Sequence, residues 1–319
     1  MRVVTDLTAP VWPDQRAVIT IGAYDGVHLG HQAVIAQVRQ LAAEQGARSA
    51  VVTFDRHPAS IVRPESAPRL LTDHEQRIEL LAETGVDATV VVPFDEAQSR
   101  EDPASFVERV LVRGLRVSNI VVGADFHFGR GREGNVSLLH DLGERFGFDV
   151  VPIELVGRID GVGEPVSSTA IRRALAGGIV TLATALLGRP YQARGKVVMG
   201  DQRGRLLGFP TANVEVPNQV CVPADGVYAG RYRRPDGVAH ACAINLGRRP
   251  TFYEHADHSL LEAHLIDFDG DLYGEAARVD FEHFLRSERK FDGIDALIGQ
   301  LKQDVEHARE LLGTGPPPA

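Results

Sequence analysis

The stretch Ala17–His31, AVITIGAYDGVHLGH, decides the fold of the first part of the chain. Its opening run, Ala17–Ile21, is apolar and β-branched and predicts a buried strand, whereas Gln32–Glu44 has the pattern of a helix. Gly22–His31 is therefore predicted to form the turn from a strand into a helix. A helix N-terminus presents free N–H groups and a partial positive charge, both of which suit a bound phosphate. The turn is our first candidate for chemistry on a nucleotide phosphate.

Two histidines in this turn, His28 and His31, are three residues apart, so both can donate to the same anion. A pair at this spacing is more often a surface coincidence or half of a metal site. A zinc site needs further ligands, and the two cysteines of the chain, Cys221 and Cys242, stand far away in the sequence. The strand-to-helix position favours the phosphate site over both alternatives. Three more residues of the turn are assigned to nucleotide binding: Gly22, Asp25 and Gly26.

The bulk composition limits the possible functions. The chain has 319 residues, of which 44% are hydrophobic, enough for two domains with sizeable cores. Its formal net charge of −9 argues against a general nucleic-acid binder, which needs a basic surface. No leader-like segment and no apolar run of about 18 residues is evident, so we expect no membrane contact. Two cysteines without a disulfide framework favour a reducing compartment, and we expect a cytoplasmic protein.

Strand and helix patterns alternate through the first half of the chain. The strand-like runs are Ala17–Ile21, Ser49–Phe54, Ala88–Val92, Asn119–Gly123 and Asp149–Val156. The helical patterns between them are Gln32–Glu44, Asp73–Thr84, Pro103–Leu115 and Val136–Phe146. This α/β alternation predicts a Rossmann-like, doubly wound parallel sheet, whose ligands bind beyond the carboxyl ends of the strands. Asp55–Pro58 and Asp125–Phe128 follow two of these strands, so we expect them at the same rim as Gly22–His31.

The pattern changes to short strands with turn signals after residue 187. Two helical patterns precede the change, Thr169–Ala176 and Val180–Leu187. The strand-like runs after it are Gln192–Val198, Val214–Val216, Val227–Arg233, Ala239–Asn245, Leu260–Ile266 and Ala277–Phe284. They predict a small antiparallel β-barrel followed by a C-terminal helix over Ile294–Leu312. We therefore divide the chain into an α/β domain over 1–187, a barrel domain over 188–312 and a disordered tail over 313–319.

A second candidate phosphate site is Ser167–Arg173, SSTAIRR. Helix capping alone accounts for one hydroxyl before a helix. Several hydroxyls followed by Arg172 one turn later form a set of donors that suits a phosphate, with the guanidinium as a fork. The hydroxyl-bearing residues are Ser167, Ser168 and Thr169.

The barrel half contains its own candidate site. Glycines let a backbone approach a ligand closely, although ordinary barrel turns are the simpler explanation of the glycines alone. The glycines assigned to nucleotide binding are Gly195, Gly200 and Gly208. Thr211 and Asn213 alternate on one predicted strand and therefore share a face, where a hydroxyl and an amide oxygen suit Mg²⁺.

The first half resembles the nucleotidylyltransferase superfamily, through its His-x-Gly-His turn and its later Ser-Ser-Thr-x-x-Arg segment. The resemblance implies attack on the α-phosphate of ATP, with pyrophosphate as the leaving group and Mg²⁺ bridging the phosphates. His28, His31 and Arg172 would stabilise the negative charge of the transition state. The nucleophile would be another substrate's phosphate, which is already ionised and needs no general base.

The second half resembles the flavokinases. The matching segments follow in order, Gly208–Asn213, Asp225–Gly230, Asn245–Phe252, Glu262–Phe268 and Leu285–Phe291. Over about residues 15–310 the chain resembles the bacterial bifunctional riboflavin kinase/FAD synthetase family. The resemblance implies that the barrel phosphorylates riboflavin to FMN with ATP, and that the first domain adenylylates FMN with a second ATP to give FAD. Glu262 would be the catalytic base of the kinase, with Thr211 and Asn213 as its Mg–ATP ligands.

The same resemblance implies flavin-binding residues in both halves. Aromatic side chains could sandwich an isoalloxazine ring, although core packing explains any single phenylalanine equally well. The residues assigned to flavin binding are Phe54, His57, Pro58, Asp125, Phe126, Phe128, Arg286 and Glu288. Tyr24 departs from the family pattern, because phenylalanine is common at this position. We expect ATP, riboflavin and FMN as partners, no nucleic acid or membrane, and a monomer or a transient homo-oligomer.

Two other functions stay open at this point. An enzyme that adenylylates a different phosphorylated vitamin would not need the barrel motifs. A flavin-binding protein without catalysis would not need His28, His31 or Glu262.

Two further segments match known binding motifs in pattern only, and we assign neither a binding site. Gly129–Gly134 fits Gly-x-Gly-x-x-Gly but begins well after the predicted strand ends, so it predicts a flexible loop rather than an NAD site. Asp267–Asp271 begins like a calcium loop, but Leu272 and Arg278 replace the glycine and glutamate that such a loop needs.

Overall fold

The computed structural model describes residues 1–153, 165–200, 203–248 and 259–313. The chain divides into two compact units, Met1–Ser168 and Thr169–Ala319. The predicted strand over Asp149–Val156 is described only as far as Ile153, and the predicted tail lies outside the described residues except for Gly313.

The first unit is built on a parallel β-sheet. Its strands are β1 (Arg2–Val4), β2 (Ala17–Ile21), β3 (Arg48–Phe54), β4 (Ala88–Val92), β5 (Val117–Gly123) and, after a short hairpin of β6 (His127–Phe128) and β7 (Gly134–Asn135), β8 (Asp149–Ile153). Among the described residues the six-stranded order is β1-β4-β3-β2-β5-β8, and every neighbouring pair is parallel. The doubly wound α/β sheet that the alternation predicts is thereby confirmed.

Strand β2 lies at the centre of this sheet and is buried along its whole length. The chain proceeds from β2 through β3 to β4 on one side, and returns to place β5 on the other side. The strand order therefore reverses between β2 and β5, and ligands of open α/β sheets bind at such a switch point. The turns after β2 and β5 carry Gly22–His31 and Asp125–Phe128.

Helices connect the strands of the first unit. They are α1 (Leu29–Gln45), α2 (Ala59–Val62), α3 (His74–Glu83), α4 (Glu96–Ser99), α5 (Pro103–Phe106), which continues as a π-helical segment over Val107–Gly114, and α6 (Val136–Phe146). Several begin at a side chain that accepts a backbone N–H, for example Asp73 at α3 and Asn135 at α6. Helix α1 ends at Gly46, whose φ of 61° is the left-handed conformation that favours glycine.

Both faces of the sheet are covered. One core joins β2 and β5 to the segment over 106–115, through residues such as Ile19, Val110 and Leu115. The opposite face packs Val18 and Val121 against Val38 of α1. The strands of this sheet therefore have continuous apolar sequences rather than alternating ones, because a strand covered on both faces has no side that meets water.

The second unit contains a closed antiparallel barrel. Its strands are β9 (Tyr191–Val198), β10 (Ala212–Glu215), β11 (Gly226–Arg233), β12 (Ala239–Arg248), β13 (Ser259–Leu265) and β14 (Ala276–Arg286). Among the described residues they close in the order β10-β13-β12-β11-β14-β9, since β10 also pairs with β9. The predicted barrel is confirmed.

Four helices of the described residues belong wholly or largely to this unit: α7 (Ser168–Ala176), α8 (Val180–Leu187), α9 (Arg203–Leu206) and α10 (Ile294–Leu312). Helix α10 packs Ala308 and Leu312 against Ala229, Ala241 and Ala243 on the outside of the barrel. Its predicted bounds are confirmed.

The structure corrects several local expectations. Helix α1 begins at Leu29 rather than Gln32, because His28 caps it. Strand β1 was not predicted, and Thr211 lies just before β10 rather than in it. The glycine-rich segment Gly129–Gly134 spans the turn of the β6–β7 hairpin, so it does not form a dinucleotide-binding turn.

Candidate active sites

The N-terminus of α1 carries the two histidines of the first unit. His28 is the N-cap, and its Nδ1 accepts a hydrogen bond from the backbone N–H of His31 at 3.3 Å. The two rings stack with centroids 3.6 Å apart and planes 15° apart. Because Nδ1 of His28 is an acceptor, the proton of the neutral ring resides on Nε2. The helix cap thus fixes which nitrogen of His28 can donate.

The ring of His31 contacts the rings of both His28 and Tyr24. Burial and, secondarily, the nearby charge of His28 place the pKa of His31 well below its usual value, so its ring is neutral near pH 7. Its Nδ1 is buried with no hydrogen-bond partner among the described residues. Tyr24 packs against this ring with centroids 4.8 Å apart, and its hydroxyl donates to Thr20 at 2.7 Å. The extra hydroxyl that distinguishes Tyr24 from phenylalanine is therefore satisfied inside the protein.

The loop before His28 has an unusual backbone. Tyr24 and Val27 have φ of 51° and 40°, which is rare for residues with a side chain, and Gly26 has φ of 85°. Such conformations persist where the surroundings hold them in place, and they are common at functional sites.

Asp25 supplies that support. Its buried carboxylate accepts the backbone N–H of Leu71 at 2.9 Å and of Thr72 at 3.1 Å. The N–H of Gly26 donates to the Thr72 hydroxyl at 3.1 Å, and the Ser168 hydroxyl donates to the Asp25 carbonyl at 2.9 Å. Through these hydrogen bonds, the buried Asp25 carboxylate holds the loop before His28 against residues 71–72.

The segment Ser167–Arg172 lies around the start of α7, which begins at Ser168. Ser167, Ser168 and Arg172 are half-buried. Because the division between the two units falls after Ser168, Thr169 and Arg172 belong to the second unit. The joint action of Arg172 with His28 and His31 stays a prediction.

The residues predicted to bind flavin in the first unit follow β3 and β5. Phe54 ends β3 and meets Phe94 edge-on, with centroids 5.1 Å apart. Phe126 is half-buried and stacks on Phe128 at 5.5 Å, whereas Phe128 is 8% exposed and packs in the core. Asp125 is exposed.

Two further predicted flavin residues stand in the turn after β3. The Nδ1 of His57 accepts the N–H of Ala59 at 3.1 Å. Pro58 is the N-cap of α2. Both residues are half-buried.

Arg77 of α3 is a site-supporting residue that the sequence did not predict. It is 3% exposed, and its guanidinium donates to the carbonyl of Ala23 at 3.2 Å and to that of Phe54. It therefore ties together the backbone that follows β2 and β3. Burial lowers the pKa of Arg77, while Asp25 and other acids nearby oppose this effect. In the sequence, the one indication of its burial is that it lies four residues before Leu81, on the same side of α3.

The barrel has a cavity of about 770 Å³ at one end. It brings together five of the predicted residues: Thr211, Asn213, Glu262, Arg286 and Glu288. The predicted glycines Gly195, Gly200 and Gly208 are not among the described residues that line it. Leu297, Leu301 and Val305 of α10 form part of its apolar wall.

Asn213 is suited to hold a cation in this cavity. The side chain is 5% exposed, and its Oδ1 has no hydrogen-bond partner among the described residues. A buried acceptor without a donor is costly, and Mg²⁺, which prefers oxygen ligands, would satisfy it. Thr211 lines the same cavity. The residues present therefore fit Mg²⁺.

Packing or backbone conformation explains why glycine stands at 195, 200 and 208. A Cβ on Gly200 would lie 2.5 Å from Cγ of Asn213, so Gly200 makes room for that side chain. A Cβ on Gly195 would collide with the backbone of Glu215 on the paired strand. Gly208 has a φ of 86° and open space around it, so its conformation requires glycine.

The charged side chains that line the cavity interact electrostatically with one another and with nearby acids. Arg286 pairs with the buried carboxylate of Asp304 at 2.7 Å, which anchors α10 to the barrel. Partial burial, followed by the negative charge of Asp225, raises the pKa of Glu288; Glu262 adds to this and Arg286 opposes it. Glu288 reaches over Gly247, where any Cβ would collide with its carboxylate.

Family models match both halves of the chain. A model described as FAD synthetase matches residues 12–170, and one described as riboflavin kinase matches residues 187–312. The chain is 38% identical over 309 residues to the bifunctional riboflavin kinase/FMN adenylyltransferase of Listeria monocytogenes, covering 96% of both chains. It is also 38% identical over 310 residues to the Escherichia coli enzyme of the same name, again covering 96% of both.

A solved structure supports the same architecture. The crystal structure of a protein described as a macrolide-efflux protein from Streptococcus pneumoniae superimposes with a TM-score of 0.83 at 28% identity. It covers 96% of this chain and 98% of that chain. In the described part of the chain, none of the helices combines the length and apolarity needed to cross a bilayer. On the two family models and the near-complete coverage of these relatives, the chain belongs to the bifunctional riboflavin kinase/FMN adenylyltransferase family.

Proposed function

We propose that two separate sets of residues carry the two reactions of this enzyme, one at the N-terminus of α1 and one in the barrel cavity. As a bifunctional member of its family, the enzyme phosphorylates riboflavin to FMN and adenylylates FMN to FAD. We place the boundary between the two activities at about residue 187; the FAD synthetase match, which ends at residue 170, and the riboflavin kinase match, which begins at residue 187, are consistent with it.

The first set acts on the α-phosphate of ATP. A phosphate oxygen of FMN attacks the α-phosphorus, the bond to the bridging oxygen breaks, and pyrophosphate leaves with the electron pair. Negative charge grows on the α-phosphate oxygens and on the leaving group. Nε2–H of His28, the ring of His31 and the free N–H groups of the α1 terminus are donors for that charge. The observation that carries this assignment is the capping and stacking of His28 on His31.

Arg172 and the hydroxyls of Ser167, Ser168 and Thr169 complete the phosphate-binding set in this proposal. Hydroxyls and a guanidinium are hydrogen-bond donors that suit phosphate oxygens, and the guanidinium adds a positive charge. Gly22 and Gly26 keep the backbone close to the nucleotide, while Asp25 holds the loop in its strained form. In this proposal the flavin binds near the carboxyl ends of β3 and β5. The residues assigned to it lie at the end of β3 or after β3 and β5: Phe54, His57, Pro58, Asp125, Phe126 and Phe128.

The second set acts in the barrel cavity. Glu262 accepts the proton of the riboflavin 5′-hydroxyl, whose oxygen attacks the γ-phosphorus of ATP, and ADP leaves with the bridging oxygen. Thr211 and Asn213 hold Mg²⁺, which supplies positive charge to the phosphates when bound. Arg286 and Glu288 border the space for the flavin. The unpartnered Oδ1 of Asn213 is the observation that supports the metal assignment.

The enzyme works in the cytoplasm as a monomer or a transient homo-oligomer in this proposal. Its two cysteines, Cys221 and Cys242, are buried and form no disulfide, which fits a reducing compartment.

His28→Asn tests the first set without removing the helix cap, because asparagine is a favourable N-cap residue. We expect FAD formation from FMN to fall by about 10²–10³. FMN formation from riboflavin should stay at the wild-type rate, which serves as the internal control. Adenylylation at the wild-type rate in this variant would exclude His28 from catalysis.

Asn213→Ala tests the metal assignment. We expect riboflavin phosphorylation to need a much higher Mg²⁺ concentration, while adenylylation of FMN keeps its wild-type Mg²⁺ dependence. An unchanged Mg²⁺ dependence of the kinase reaction would show that Asn213 does not hold the ion.

A further inference from the structure

The side chain of Thr72 lies against the turn that precedes α1. Thr72 is 3% exposed and stands just before Asp73, the N-cap of α3. Its hydroxyl accepts the backbone N–H of Gly26 at 3.1 Å and donates to the Asp25 carboxylate at 3.3 Å. A hydroxyl can make both bonds at once, because it carries one donor and two acceptor lone pairs. This single group therefore joins the backbone of the turn to the buried carboxylate beside it.

The turn has a backbone that needs support at this point. The N–H of Val27 donates to the carbonyl of Tyr24 at 3.2 Å, and both residues have positive φ. Such conformations persist only where the surrounding structure holds them. Gly26 lies between them, and glycine is the residue with the greatest conformational freedom. The hydroxyl of Thr72 thus holds the turn at the residue where the chain is most free to rotate.

The orientation of His28 depends on this turn. His28 follows Gly26 by two residues, so a change in the dihedral angles of Gly26 displaces it. On its other side His28 is held by α1, because its Nδ1 accepts the N–H of His31 and the two rings stack. The hydrogen bond from Gly26 to Thr72 is the corresponding support on the side of the turn.

We propose that Thr72 is a positioning residue for the adenylylation of FMN. Its hydroxyl holds Gly26 and Asp25 in the conformation that directs His28 toward the α-phosphate of ATP. Because its side chain is buried, Thr72 acts through the turn and not on the substrate. This inference rests on the proposed role of His28.

Thr72→Val tests the hydroxyl, because valine keeps the shape of the side chain and leaves the backbone N–H of residue 72 able to donate to Asp25. A misplacement of 1 Å can cost about 100-fold, so a smaller shift of His28 predicts a fall of roughly 10-fold in kcat for FAD formation. The KM values for ATP and FMN should stay near wild type, because His28 acts on charge that grows only in the transition state. A purely structural role would lower the unfolding temperature without this separation of kcat from KM.

Two further variants identify the hydroxyl as the cause. Thr72→Ser keeps the hydroxyl and should return kcat toward the wild-type value. Thr89→Val is the matched control, because Thr89 is also fully buried but lies within β4, where its hydroxyl donates to the sulfur of Met1 at 3.1 Å. It should leave kcat and both KM values unchanged. Thermal unfolding verifies that each variant is folded, and Thr72→Ala replaces the valine variant if that one does not fold.

The outcomes separate this inference from the proposal beneath it. A wild-type kcat in Thr72→Val, or an equal loss of kcat in the valine and serine variants, would overturn the role of the Thr72 hydroxyl. A rise in KM at constant kcat would also overturn it. If His28→Asn formed FAD at the wild-type rate, the role of His28 itself would be wrong. Loss of activity in His28→Asn together with full kcat in Thr72→Val would refute the role of Thr72 alone.

Discussion

Gly30→Ala places one methyl group against His28, one of the two histidines that we propose act on the α-phosphate. Gly30 is the second residue of α1, and a Cβ there would lie 3.2 Å from Nδ1 and Cε1 of His28. The backbone carbonyl oxygen of Val166 would lie 3.3 Å from the same Cβ. The His28 ring must therefore yield by a few tenths of an ångström, although the His31 ring stacks on it.

The substitution should have little effect on stability but a clear effect on catalysis. Alanine is favoured over glycine inside a helix by up to about 1 kcal/mol, so the tight contact and the helix preference largely cancel in the free energy of unfolding. Catalysis has no such compensation. A misplacement of 1 Å can cost about 100-fold, so a shift of a few tenths predicts a loss of roughly 10-fold in kcat for FAD formation from FMN.

The assay is FAD formation from FMN and ATP, followed by chromatography, with thermal unfolding measured in parallel. Gly299→Ala is the matched control, because Gly299 also lies in a helix but has nothing within 4 Å of the added methyl. It should raise the unfolding temperature slightly and leave FAD formation unchanged. Full FAD formation by Gly30→Ala would refute the placement of His28 at the reacting phosphate.

Three other perturbations test different parts of the structure. Gly200→Ala should lower FMN formation at least 10-fold by displacing the Asn213 side chain, with adenylylation as the unaffected control. Arg77→Met should destabilise the first unit by about 1–3 kcal/mol in calorimetry, because it removes a donor from the Phe54 carbonyl and one of the two side-chain donors to the Ala23 carbonyl; an unchanged unfolding temperature would contradict its role. The depressed pKa of His31 means that the unfolded chain binds the proton more readily. Wild type should therefore lose up to about 1.4 kcal/mol per pH unit below pH 6.5, a loss that His31→Gln should lack in unfolding measured at pH 7 and pH 5.5.

The sheet and the barrel were predictable because their patterns repeat along the chain. Ala17–Ile21 is continuously apolar, as a strand buried on both faces must be, and this run alone places the first turn. Strand β1 escaped prediction because it has three residues and lies at the sheet edge, so it carries almost no periodicity. The helix start was placed late because His28 acts as a cap, which is not among the usual capping residues.

Candidate site residues could be proposed from the sequence where a motif contains them. They could not be proposed where only tertiary contacts bring them to the site. Glu262 and Asn213 come from separate motifs, and the barrel register brings them opposite each other. Asn245 stands in a recognisable segment, but its place beside Glu262 follows only from strand pairing. Arg77 is charged and would be expected to face solvent, and only the carbonyls that meet in three dimensions explain its burial.

Glu262→Gln separates the two sites that we propose for the formation of FMN and FAD. The variant is given ATP and Mg²⁺ with riboflavin in one reaction and with FMN in a second, and the flavins are separated by chromatography. We expect no FMN from riboflavin, and FAD from FMN at the wild-type rate. Loss of both activities together in a variant with wild-type thermal unfolding would contradict the independence of the two sites.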